Sequence, residues 1–139
     1  VHWPQGIKVA GGTINHDPAH IIDLLPTAIA ASSARYQGGL SLPGSDLISH
    51  INQGAKQRTL YFEHQWNRAV RSGRWKLVAL DDQPWELYDF SSDRTEMIDL
   101  AQRYPERVRQ MAAQWDTWGA NNYVTPLPKD LKVPYLMPD

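Results

Sequence analysis

Four polar residues of different chemistry fall within six positions of this chain: Glu63, His64, Asn67 and Arg68. Together they offer a carboxylate acceptor, an imidazole that changes charge near neutral pH, an amide and a guanidinium. Arg68 can grip a sulfate or carboxylate in bidentate fashion. The competing reading is local: a hairpin end fixed by a Glu63–Arg68 ion pair.

The elements around them must be strands. Arg58–His64, Asn67–Arg71, Arg74–Leu80 and Trp85–Phe90 each read as extended. Alternation places Leu60 and Phe62 on one face, with Thr59, Tyr61 and Glu63 on the other. Arg71-Ser72-Gly73-Arg74 reads as a tight hairpin, with Gly73 available for positive φ. The connections are too short for parallel crossovers, so the three later strands should form an antiparallel meander. Pro105-Glu106 opens a helix, because Pro suits the first helical position and Glu the positive dipole end. Val108, Met111, Ala112 and Trp115 recur at helical spacing and should cover one face of the sheet.

Upstream, Val1 to Gly12 reads as a strand end, a turn and a second extended stretch. Pro26 is tolerated only in a first helical turn. That makes Asp23 the expected N-cap of a helix from about Leu24 to Arg35, with Leu24, Thr27, Ala28 and Ala31 as a narrow packing face. Ser45 or Asp46 caps a short helix through Ile51, ended by Gly54. The expected organisation is therefore 1–57 as strand, helix and connecting loops, 58–121 as sheet plus helix, and 122–139 as an extended, Pro-rich tail. The fold class is α+β: a small antiparallel sheet of about four strands packed by a C-terminal helix.

Other candidate residues read more plainly. His16 and His20 have the spacing of a helical metal pair, but Pro18 intervenes and no third ligand is near. Arg71, Arg74 and Lys76 make a solvated basic patch. Trp75 and Trp85 read as core or cross-strand packing. Asp93, Arg94 and Glu96 read as a network that fixes a loop. Asp81-Asp82 lacks the alternating ligands of a calcium loop.

Composition excludes several classes. The chain has 139 residues, 42% hydrophobic and 21% charged, enough for one domain with a core. Its formal net charge of -1 gives no general pull toward nucleic acid or a membrane surface. No apolar run approaches the ~20 residues of a membrane helix. There is no Cys, which removes disulfides, thiol nucleophiles and Cys-based zinc sites. Six Trp point to an aromatic core. The start, Val1-His2-Trp3-Pro4-Gln5-Gly6, reads as the inside of a domain, so the chain is expected to be a piece of a longer protein.

Taken in order, these segments resemble the C-terminal region of type I, formylglycine-dependent sulfatases, and arylsulfatases in particular. His2-Trp3-Pro4-Gln5-Gly6-Ile7 is similar to the strand end leaving the catalytic domain. His20-Ile21-Ile22-Asp23-Leu24-Leu25-Pro26-Thr27 resembles the family's Asp-x-x-Pro-Thr helix start. Leu42-Pro43-Gly44-Ser45-Asp46-Leu47 resembles the loop before its short helix. Glu63 to Arg71 and Trp75-Lys76-Leu77-Val78 resemble its sheet. Trp85 to Asp89 with Asp93-Arg94-Thr95-Glu96 resembles the last strand and its acidic loop.

The resemblance implies a parent that hydrolyses sulfate esters with a formylglycine and calcium. The formylglycine arises in a Cys/Ser-x-Pro-x-Arg motif, and Ser41-Leu42-Pro43-Gly44-Ser45 lacks the Arg. No catalytic or metal residue is carried over, and no cofactor is expected in this chain, which alone should be inactive. Its partners would be the missing catalytic domain, on which the N-terminal segment packs, and, for the parent, a sulfated small molecule or sugar. Nucleic acid and membrane are not expected. Exposed apolar surface should drive homodimerisation or domain swapping. A periplasmic or secreted parent is implied. Glu63, His64, Asn67 and Arg68 become expected rim residues of the substrate pocket. The family pattern carries a small residue, often Gly, where Trp66 stands, so a Trp there reshapes the turn or walls the pocket mouth. Competing readings are a module that binds an anionic sugar or a protein, and a domain of a phosphatase-like relative in the same superfamily.

Overall fold

A computed structural model describes residues 2–54 and 57–125. Two compact units divide the chain, Val1–Gln57 and Arg58–Asp139.

The second unit holds the sheet. Strands β1 (Thr59–His64), β2 (Asn67–Ser72), β3 (Trp75–Ala79) and β4 (Glu86–Asp89) pair antiparallel in the order β1-β2-β3-β4. This is the expected meander. Gly73 takes φ +56 in the β2–β3 turn, a conformation that costs glycine little. Helix α3 (Pro105–Asn121) begins with its Pro in the first turn and Glu106 near the positive end. Its expected stripe is buried: Met111 and Trp115 join Val70, Leu77 and Leu87 in one core, with Val108 and Ala112 packed against it. The expected alternation holds as well, since Tyr61 packs on the core while Phe62, its neighbour, is 38% exposed.

Aromatic rings and one side-chain bond tie helix to sheet. Tyr61 stacks on Trp118 with ring centres 5.3 Å apart, and Trp85 meets Trp115 edge to face at 6.3 Å. The Trp115 indole N–H donates to the Phe62 carbonyl at 3.0 Å, which satisfies a polar group inside the core. The outer edge of β4 is also engaged. Leu87 receives Leu100 N–H on its carbonyl and gives its own N–H to Asp99.

In the first unit, a 3-10 turn at Ile21–Asp23 leads into α1 (Leu24–Ser32), and α2 (Leu47–Gln53) follows. Asp46 caps α2 as expected, accepting Ile48 and Ser49 N–H. Three expectations need correction. Residues 2–12 carry turns at 4–6 and 11–12 and no strand, since no neighbouring strand among the described residues pairs with them. Helix α1 ends at Ser32, three residues early, where Ser33 takes φ +55. Asp23 makes no side-chain cap bond to α1. Its buried carboxylate instead reaches back to His20 N–H at 2.8 Å and across to Ser45 N–H at 2.9 Å.

Thr27 completes that latch: its hydroxyl donates to the Asp23 carbonyl and accepts Leu47 N–H. Gly44 lies so close that an added Cβ would meet the Ile22 carbonyl oxygen at 2.0 Å. The Asp-x-x-Pro-Thr segment is therefore a clasp between two helices. Helix α1 buries no residue within its unit; Leu24 is 59% exposed, and Ile14, Ile21 and Leu40 are more so. Beyond residue 125 the expected tail lies outside the described residues. No helix among the described residues is long and apolar enough to cross a membrane.

Candidate functional site

The β1–β2 hairpin closes through two residues, Gln65 and Trp66, both with positive φ (52° and 68°). Two-residue hairpins favour this handedness because it matches strand twist, and Asn-Gly is the usual choice. Neither residue here is a natural left-handed one, and a bulky Trp at φ +68 is a true outlier. The Glu63 carboxylate holds the turn by accepting Trp66 N–H at 2.9 Å.

The ladder sorts the four rim candidates into two pairs. Glu63 lies opposite Arg68, and His64 opposite Asn67. Successive residues point to opposite faces, so the first pair shares the α3 face and the second lies on the reverse. The four do not converge on one point. No Glu63–Arg68 ion pair forms among the described residues. The Arg68 guanidinium lies over the rings of Trp85 (4.6 Å) and Trp115 (5.6 Å), a cation–π arrangement, and its buried Nε has no hydrogen-bond partner. On the reverse face His64 is exposed. Asn67 Oδ1 accepts Asp81 N–H at 3.1 Å, leaving its NH2 group available to donate.

The remaining candidates are structural. His20 Nδ1 accepts Ile22 N–H, so this histidine caps the 3-10 turn. Asp93 fixes its loop by accepting Ile98 and Met97 N–H, which hold its carboxyl below the usual range. Lys76 pairs with Glu96. Arg74 pairs with the buried Asp89, and that guanidinium, helped by Ser91, lowers the Asp89 pKa to about 2. Burial raises the Tyr88 phenol pKa, and the adjacent Glu86 raises it further. Sequence reasoning missed the left-handed turn; the signal was the expected glycine position occupied by Trp.

A formylglycine–calcium centre does not fit these residues. The chain has no Cys, its one Ser-x-Pro segment lacks the Arg, and no cluster of three His, Asp or Glu among the described residues is placed to hold a metal. A cavity of about 480 Å3 in the first unit has His2 as the only titratable residue among its described lining.

Comparison with known proteins gives the context. An uncharacterized sulfatase of Schizosaccharomyces pombe is 26% identical over 94% of this chain and 26% of its own length. A putative sulfatase from Bacteroides fragilis has a solved structure that matches 70% of the chain and 24% of its own, with TM-score 0.52 and 21% identity. The chain is similar to the C-terminal region of sulfatases. It spans about a quarter of the length of the relatives it matches. A second solved structure, described as bound to its substrate D-glucosamine-2-N,6-O-disulfate, matches 78% of this chain and 25% of its own at TM-score 0.57 and 14% identity. No protein-family model matches. The shared sulfatase architecture is the four-stranded sheet with its C-terminal helix.

Proposed function

We propose that this chain is the scaffold end of an arylsulfatase-like enzyme whose parent hydrolyses sulfate esters. The observation that carries this is the sequence likeness to a sulfatase over 94% of the chain, beside a fold likeness to a solved putative sulfatase over 70% of it. In this reading formylglycine and calcium belong to the parent's catalytic domain, which the apolar first unit packs against. This chain alone then turns over no substrate. A periplasmic or secreted parent, acting on a sulfated small molecule or sugar, belongs to the same reading.

Within it, the β1–β2 hairpin end supplies part of the pocket rim. His64 and the free Asn67 NH2 can donate to sulfate oxygens from one face, and Arg68, held between two indoles, keeps a fixed positive charge on the other. Glu63 acts through the backbone, by holding Trp66 in place. These are binding and positioning roles, and none is a bond-breaking step.

The test is kinetic. The full-length parent is assayed on aryl sulfates and sulfated sugars, with and without calcium, beside Asn67→Ala and His64→Ala. We expect calcium-dependent turnover, and in the variants a KM raised about 3- to 30-fold with kcat nearly kept, as lost binding hydrogen bonds require. Unchanged KM in both variants would remove the hairpin from the pocket. Turnover by the isolated chain would contradict the assignment of catalysis to the rest of the parent.

A further inference from the structure

Trp75 begins β3, at the opposite end of the sheet from the Gln65–Trp66 turn, about 20 Å of strand rise away. Tyr104, just before α3, meets its ring edge to face with centres 5.2 Å apart. Three guanidinium groups lie against these rings. Arg74 is 5.1 Å and Arg107 6.0 Å from the Trp75 ring centre, and Arg103 is 5.5 Å from that of Tyr104. Carboxylates are scarce here. Arg74 is taken by Asp89, and Glu106, the one acid among the described lining residues, pairs with Arg109. Among the described residues Arg107 bonds the neutral Gln110 amide oxygen, at 3.1 Å, and no carboxylate pairs with Arg107 or Arg103. Between them opens a cavity of about 420 Å3, within the usual range for a small-ligand site.

We propose that this cavity binds a sulfated sugar residue. The sulfate sits on Arg103 and Arg107, and the ring's C–H face lies against the accessible parts of Trp75 and Tyr104. Guanidinium matches the oxygens of a sulfate in bidentate geometry. Because the aromatic rings already steady both arginines, less side-chain freedom is lost on binding. The site holds its ligand and does no chemistry on it. Holding a long sulfated chain at this face would raise its local concentration. The proposal rests on the reading that the parent handles sulfated sugars.

The test is calorimetric titration of the 139-residue chain. The probes are D-glucosamine-2-N,6-O-disulfate, a heparin hexasaccharide, unsulfated D-glucosamine and a DNA hexanucleotide. They are repeated on Arg103→Ala/Arg107→Ala, on Arg103→Gln/Arg107→Gln, which keeps the stems, and on the charge-matched Lys8→Ala/Arg35→Ala. Both cavity arginines are exposed, so the fold should survive, and circular dichroism checks this. We expect both sulfated sugars to bind and glucosamine not to. Either cavity double variant should weaken binding roughly tenfold or more, with the control within about twofold. Equal affinity in cavity variants and wild type, binding of glucosamine equal to its disulfate, or DNA as tight as the hexasaccharide would each overturn the proposal. No turnover is read, so failure here leaves the sulfatase reading intact, and an inactive parent leaves a positive binding result intact.

Discussion

Glu63 accepts the backbone N–H of Trp66 across a two-residue turn whose central residues both have positive φ. One carboxylate thus props up a backbone conformation that neither Gln65 nor Trp66 favours. Such departures tend to persist where a side chain is wanted for another purpose, and the rim reading supplies one.

The strain has a direct signature. Trp66→Ala and Trp66→Gly both delete the indole, but only glycine relieves the left-handed geometry. The glycine variant should be more stable than the alanine variant by ~1 kcal/mol in urea unfolding, a reversal of the usual order inside strands. Equal stabilities would mean that the turn is not held left-handed.

Acid should expose the Arg74–Asp89 pair. Bonding to Arg74 holds the Asp89 carboxyl near pKa 2, below the roughly 3.9 of an unfolded Asp. A depressed carboxyl stabilises the fold above the unfolded value and loses that contribution as pH falls through the folded one. Stability should therefore drop between about pH 4 and pH 2. Asp93, lowered by Ile98 and Met97 N–H, acts in the same direction. Arg74→Ala should flatten this drop in a series of thermal melts, and an unchanged slope would show that the pair is not coupled to folding.

Core dependence is sharply local. Leu77 is fully buried beside Met111 and Trp115, so Leu77→Ala should destabilise by about 2–5 kcal/mol. Leu40 is 81% exposed, so Leu40→Ala should change stability by less than about 0.5 kcal/mol. Guanidinium unfolding of the two variants checks the contrast.

Self-association should follow from the first unit. Ile14, Ile21 and Leu40 are each at least 75% exposed and Leu24 is 59% exposed, while α1 buries nothing within its own unit. Apolar surface of this kind promotes association. Light scattering over a concentration series should show a dimer or larger species, and Ile21→Ser/Leu24→Ser should shift it toward monomer. A monomer at every concentration would refute this.

Much of the second unit was legible because its signals are local. Alternation at Leu60–Phe62, the stripe Met111–Trp115 and Gly73 each encode one element directly. The clasp around Asp23 was not, because its partner, the Ser45 amide, is 22 residues away and any backbone N–H looks alike in sequence. The extended reading of residues 2–12 failed for the same reason, since a strand needs a neighbour that local pattern does not supply. The separation of Glu63 and Arg68 from His64 and Asn67 follows from the pleat, once strand ends are known to within one residue. Trp66 was legible only as a departure, and the backbone angle behind it was not.

One rim of the sheet is stopped partway along. On β4 the peptide groups of Leu87 are occupied by Asp99 and Leu100. A newly made copy still crowded among its fellows would find that border closed. Zipping through β1 alone ends once two ribbons have joined, which works against fibre growth.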